Sequence, residues 1–225
     1  MLEFFDAIQA GDLPKVQALF HKDPKLADAK NGQGLSAVLW ARYHDRMDVL
    51  EFLLKSKEQP LTIFEAAATG NRKTAHYLDQ LDKGLVNSYS VDGFTPLQLA
   101  CFFATAETVK HLITLGADVR PAAKHASGLT ALHAAVANRD GGEALEIVKA
   151  LLILGADPKA RQAGGLTPLH AAAARGSWEL ALMLLLFGAD PRSKDDEGRT
   201  PRQVAEDKHY QALLELLDKA VPARS

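Results

Sequence analysis

The feature that most constrains this chain is a short segment that it repeats. Thr95-Pro96-Leu97-Gln98-Leu99-Ala100 returns as Thr130-Ala131-Leu132-His133-Ala134-Ala135 and as Thr167-Pro168-Leu169-His170-Ala171-Ala172, and weakly as Thr200-Pro201-Arg202-Gln203-Val204-Ala205. A second signature, Gly-Ala-Asp, follows at Gly116, Gly155 and Gly188, 21, 25 and 21 residues after the opening Thr. The middle interval carries four extra residues, and Asp140-Gly141-Gly142-Glu143 is the evident insertion. A unit of this length cannot bury its own apolar face, so copies must stack on one another in a row.

The repeated residues have local physical roles. Thr suits a helix N-cap, Pro the first helical position, and Leu with Ala an inward face that lets the next unit approach closely. Gly after the second, Leu-rich helix suits a left-handed C-terminal residue. Each unit thus reads as helix–turn–helix. The T-P-L-H-x-A pattern, strongest at Thr167–Asp190, resembles the ankyrin-repeat family, and in particular bacterial stand-alone ankyrin arrays. Fainter openings occur at Ser36-Ala37-Val38-Leu39-Trp40-Ala41, at Phe5-Asp6-Ala7-Ile8 and at Phe64-Glu65-Ala66-Ala67. Unit starts then fall at Leu2, Ser36, Leu61, Thr95, Thr130, Thr167 and Thr200. The resemblance implies an all-α repeat solenoid of about seven helix pairs with short β-hairpin fingers, a single array over 1–225. The interval from Ser36 to Leu61 leaves no room for a finger, so an irregular junction is expected near residues 55–61, with a kink or altered curvature. It would separate possible sub-arrays 1–60 and 61–225. The polar stretch Gln203–Lys208 suits a terminal cap.

Composition supports helices: 34 Leu and 37 Ala against 16 Val and Ile together favour helix formers over strand formers. A net charge of −2 offers no basic footprint for nucleic acid or an anionic membrane. The N-terminus MLEFFDAIQAGD has acids where a signal peptide needs cations, and the longest apolar run, Trp178–Phe187, is broken by Glu179. The lone Cys101 can form neither an intrachain disulfide nor a multi-thiolate zinc site. A cytoplasmic setting is expected, with another protein as partner, no membrane or nucleic-acid contact and a monomeric state.

Candidate chemistry is sparse. His133 and His170 occupy the T-P-L-H position, where the resemblance implies a structural hydrogen bond near the preceding Thr. The other six histidines, at 21, 44, 76, 111, 125 and 209, have no metal-ligand spacing. Cys101 replaces a packing Ala, Gly164-Gly165 reads as hairpin chemistry outside any phosphate-binding frame, and Asp195-Asp196-Glu197 reads as solvated charge on a tip. Neither a catalytic group, a metal ligand nor a cofactor is expected.

In ankyrin arrays the finger tips and the free face of the inner helices line a concave groove, and the resemblance implies that partners bind there. The offsets point to Trp40 and Tyr43 in the second unit; Tyr89, Asp92, Phe94, Phe102 and Phe103 in the fourth; and His125, Ser127, Leu129, Asn138, Arg139 and Arg175 beyond. Phe102 and Phe103, placed in the turn after an inner helix, fill a gap between units or offer contact area. The insertion around Asn138–Glu143 reads as a loop, either for recognition or as a tolerated extension. The longer finger containing Pro121–His125 should project beside Phe94, making the fourth and fifth units the favoured contact area. The expected function is a non-enzymatic protein–protein interaction module. A dedicated inhibitor or chaperone of one cognate enzyme is the alternative, and an enzyme or metal-dependent protein on this scaffold the remote one.

Overall fold

Six hydroxyl side chains start the inner helices. Ser36, Thr62, Thr95, Thr130, Thr167 and Thr200 each accept a hydrogen bond from the backbone N–H three residues on, satisfying a donor that no intrahelical carbonyl can reach. The computed structural model describes residues 1–70 and 82–220. The helices are α1 (Leu2–Ala10), α2 (Leu13–Lys22), α3 (Ala37–Tyr43), α4 (Met47–Ser56), α5 (Ile63–Thr69), α6 (Pro96–Phe103), α7 (Ala106–Thr114), α8 (Ala131–Val136), α9 (Gly141–Ile153), α10 (Pro168–Arg175), α11 (Trp178–Leu186), α12 (Pro201–Asp207) and α13 (Gln211–Ala220). They form six antiparallel pairs plus the single inner helix α5, in an all-helical repeat solenoid. The expected outer helix of the third unit, and His76, lie outside the described residues.

Inner helices pack in sequence, α1 on α3, α3 on α5, α5 on α6, and so to α12; outer helices follow the same order where described. Ala makes the inner row possible: Ala66, Ala67, Ala68, Ala100, Ala135, Ala172 and Ala173 are fully buried, as are the outer-helix residues Leu112, Leu151 and Leu184. The buried side chains divide into two clusters, one over α1–α4 and a larger one running from Leu35 to Leu217. Trp40 packs against both. Glycines of the Gly-Ala-Asp signature adopt the left-handed conformation that ends the outer helices, with φ between 88° and 96°.

Four expectations need correction. Among the described residues the fingers form no strands, only isolated bridges, Lys30 with Ser36 and Ala122 with Thr130. Each finger is a tight turn, too short for a ladder, closed by a backbone bond such as Ser90 N–H to Phe94 C=O at 2.9 Å. Gly164-Gly165 belongs to such a turn. Neighbouring turns are tied tip to tip: Lys124 N–H donates to Gly93 C=O (2.8 Å), Ala163 N–H to Ser127 C=O (2.7 Å) and Asp196 N–H to Gly164 C=O (2.9 Å). Gly93 is required by this contact, since its φ is +85° and a Cβ would lie 2.5 Å from the His125 nitrogen. Secondly, the inserted residues form no loop. Asp140 caps α9, its Oδ1 accepting from Gly142 N–H at 3.0 Å and Glu143 N–H at 3.1 Å. Four residues add about one turn to a helix of 3.6 residues per turn. Thirdly, Phe102 and Phe103 are the last two residues of α6, not of the turn after it. Fourthly, Asp195 is buried, and its carboxylate accepts from the backbone N–H groups of Glu197 and Arg199.

Candidate functional site

The junction expected near residues 55–61 shapes the concave side. Helix α4 ends at Ser56 and the connection 57–62 leads straight into α5 without a finger. The fingers on either side therefore meet: a Cβ on Gly34 would lie 3.5 Å from Val91. Across the closed gap the Tyr43 hydroxyl donates to Asp92 Oδ2 at 2.5 Å. At the opposite end of the inner helices, Arg139 pairs with Asp45. Those turns belong to units three steps apart, which in a straight stack would be about 30 Å, given a helix diameter near 10 Å. Two side chains cannot span that distance, so the array draws together on its concave side.

An apolar cavity of about 280 Å³ lies in this concavity, walled by Tyr43, Phe94, Leu99, Phe102, Phe103 and Leu129. Tyr43 stacks on Phe103 with ring centroids 5.5 Å apart, and Phe102 meets Phe103 edge-on at 4.5 Å. Phe94 is covered on one side by the His125 ring at 4.9 Å. Gln98 holds the floor: its Oε1 accepts from Thr95 N–H at 2.9 Å, and its Nε2 donates to the carbonyls of Pro121 (2.9 Å) and Leu129 (3.3 Å). The two polar side chains in the wall are thus both hydrogen-bonded within the protein. Burial and the Asp92 contact raise the Tyr43 phenol well above its ordinary pKa, first through desolvation, so it stays a neutral donor.

Behind the phenylalanines lies a second, more polar depression of about 420 Å³, bordered by Arg42, Arg139 and Glu143 among others. Arg42 ties three units together. Its Nε donates to Ala68 C=O at 3.1 Å, a second nitrogen donates to Phe103 C=O, and the guanidinium sits 4.9 Å from the Phe103 ring centroid. Burial lowers its pKa, with Asp45 opposing. Glu143 reaches back to the preceding unit, where its Oε2 accepts from Ala106 N–H at 2.5 Å.

The positions expected from the sequence fall into separate places in the fold. Tyr43, Phe94, Phe102, Phe103 and Leu129 converge on the apolar cavity, with Asp92 and His125 at its edge and Ser127 beside His125, its N–H donating to His125 Nδ1 at 3.1 Å. Tyr89 faces the neighbouring finger, its hydroxyl 3.4 Å from Ala122 C=O and its ring under Lys124. Trp40 is a strut between the first two units, donating from Nε1 to Phe5 C=O at 3.2 Å. Arg139 is exposed and belongs to the second depression. Two positions are corrected. Asn138 is 4% exposed, and its Nδ2 donates to the carbonyls of Cys101 (3.0 Å) and Ala104 (3.1 Å). Arg175 donates to the carbonyls of Val136 (2.9 Å) and Asn138. Both brace neighbouring units through these bonds. Sequence reasoning missed Gln98 and Arg42: Gln98 had a signal, replacing His in the repeated motif, whereas the partners of Arg42 come from other units.

His133 and His170 do the work the motif implied. His133 Nδ1 lies 2.9 Å from Thr130 Oγ1 and its Nε2 3.1 Å from Leu166 C=O; His170 repeats this with Thr167 (2.8 Å) and Arg199 C=O (3.0 Å). Among the described residues no His, Cys, Asp and Glu side chains group as metal ligands. Cys101 is fully buried, which pushes its thiol pKa far up. No described helix is long and apolar enough to cross a membrane.

A family model of ankyrin repeats, in three copies, matches residues 63–162 and 140–224. The two matches together cover well over half of the chain. No curated protein matches it.

Proposed function

The chain belongs to the ankyrin-repeat family, whose repeats generally serve as protein–protein interaction modules, and from that premise we propose that it binds a partner protein through its concave groove at the fourth and fifth units. It acts there without catalysis, as a monomeric module. The cavity walled by Tyr43, Phe94, Phe102, Phe103 and Leu129 seats the apolar anchor, and the fingers carrying Asp92 and His125–Ser127 surround it.

The observation that carries this reading is the cavity's chemistry. Its walls are aromatic and aliphatic, with the Gln98 amide and Tyr43 hydroxyl already engaged. Apolar surface of that kind gains by being covered. Burying a large side chain contributes about 1.5–3 kcal/mol, so two aromatics account for more than a hundredfold in affinity.

The test is retention of partners from a native lysate by immobilised wild type and by the Phe94→Ser/Phe103→Ser variant, with helicity checked by circular dichroism. The variant should lose at least one partner that wild type retains. Identical partner sets from a folded variant would contradict the groove assignment.

A further inference from the structure

Asp92 stands at the rim of the apolar cavity, hydrogen-bonded to one of its walls and two residues from another. Each of its carboxylate oxygens accepts one bond from a neutral hydroxyl: Oδ2 from Tyr43 and Oδ1 from Ser90, both at 2.5 Å. Among the described residues no ion pair reaches it. The adjacent finger supplies Lys124, but that ammonium lies over the Tyr89 ring at 4.3 Å, and His125 is stacked on Phe94. The rim therefore presents a carboxylate fixed in orientation and uncompensated in charge.

The cavity beside it is of the opposite character. Its volume of about 280 Å³ sits at the small end of the roughly 300–1,000 Å³ of clefts that enclose a drug-sized ligand. That size suits a single large side chain. A polar side chain would forfeit its hydration without finding a partner, because the polar groups in the wall are already engaged. An acidic neighbour would be repelled by Asp92, whereas a cation gains both the carboxylate and the aromatic faces of Tyr43 and Phe94.

We infer that the groove recognises a protein segment that seats a Phe, Leu or Trp side chain in the cavity and places a neighbouring Lys or Arg on Asp92. This rests on the groove being the binding face. It adds the chemistry of the partner: an apolar anchor flanked by a positive charge.

The probes are fluorescent synthetic peptides of about twelve residues, with Phe, Leu, Trp or Ala at the centre and Lys, Arg, Gln or Glu beside it. Binding to the full chain is read by fluorescence anisotropy at low and at high salt. Peptides with Phe, Leu or Trp should outbind Ala, and Lys or Arg should outbind Gln by about tenfold, with Glu weakest. The Lys-over-Gln preference should shrink with salt and vanish in Asp92→Asn, while the preference for the large apolar centre persists. Equal binding of Lys and Gln peptides to wild type, or stronger binding of Glu peptides, would overturn the inference. So would the absence of any peptide binding, or a dimer in sedimentation that the peptides dissociate, which would make a second copy the occupant. In those cases a lysate partner still lost on Phe94→Ser/Phe103→Ser would leave the groove reading standing.

Discussion

Replacing His133 and His170 together by Gln should flatten the loss of stability on acidification between about pH 6.5 and pH 4. Each imidazole sits under the N-cap of its own helix. Nε2–H donates to a carbonyl of the following finger, so Nδ1 must be the acceptor that meets the cap Thr. The carbonyl partner fixes this tautomer. Protonating Nδ1 would turn an acceptor into a donor facing the Thr130 N–H, and would place a charge in a site where the residue is 3% exposed. Desolvation accordingly lowers the His133 pKa to about 4, against the opposing hydrogen bond to Leu166. His170 shifts in the same direction for the same first cause.

The sign follows from linkage. A folded-state pKa below the unfolded value of 6.5 means that the unfolded chain binds the extra proton first. The contribution is full above about pH 6.5 and is lost as pH falls toward 4, to a total of about 3 kcal/mol at His133. Gln keeps the geometry without titrating, as Gln98 and Gln203 already do in their own units, each accepting from its cap Thr N–H at 2.9 Å. Urea unfolding followed by circular dichroism at pH 7, 5.5 and 4.5 measures the difference. Wild type should lose stability steeply along this series and the double variant much less. Equal losses would show that the acid sensitivity lies elsewhere.

The second large effect belongs to Lys57, in the connection that replaces a finger. Its ammonium, with a side chain 8% exposed, lies 2.5 Å from Asp28 Oδ1 and 3.7 Å from Glu65 Oε1. Glu65 is itself 1% exposed; its Oε2 accepts from Thr62 N–H at 2.8 Å, while Oε1 has no hydrogen-bond partner. Lys57 is therefore the charge that makes a buried carboxylate tolerable. Lys57→Met should cost about 3–5 kcal/mol, because removing one partner of a buried pair strands the other. Gln at position 65 retains the capping oxygen without the charge, so Lys57→Met/Glu65→Gln should recover much of the loss. Thermal unfolding of the two variants decides it. A Lys57→Met protein as stable as wild type would contradict the role given to this cluster.

Legibility in the sequence followed the range of each interaction. Helix starts at Thr95, Thr130, Thr167 and Thr200 could be read because the cap, the bonded N–H and, at all but Thr130, a Pro lie within a few residues of one another. The same holds for Gly116, Gly155 and Gly188 at the helix ends. The insertion reads as a loop because insertions in repeats ordinarily map to loops, yet Asp140 accepts from the N–H groups of Gly142 and Glu143 and four residues make about one helical turn. Repeat offsets sufficed to gather Phe94, Phe102, Phe103 and Leu129, which lie in adjacent units. They could not foretell that Tyr43 reaches Phe103 and Asp92 two units away, since that contact depends on the missing finger. The bracing roles of Asn138 and Arg175 escape the sequence for a related reason: the carbonyls they serve belong to neighbouring units, and no local pattern announces them.

The surface also offers apolar side chains away from the groove, at the ends of outer helices: Ile153, Leu154, Leu186 and Phe187 are all exposed. Hydroxyl-radical footprinting of the chain alone and with a retained partner separates the two faces most directly. Partner binding through the concavity predicts that Tyr43, Phe94, Phe102 and Phe103 lose reactivity while Ile153, Leu154, Leu186 and Phe187 keep theirs. Protection of the outer-helix ends, with the four aromatics still reactive, would contradict the account.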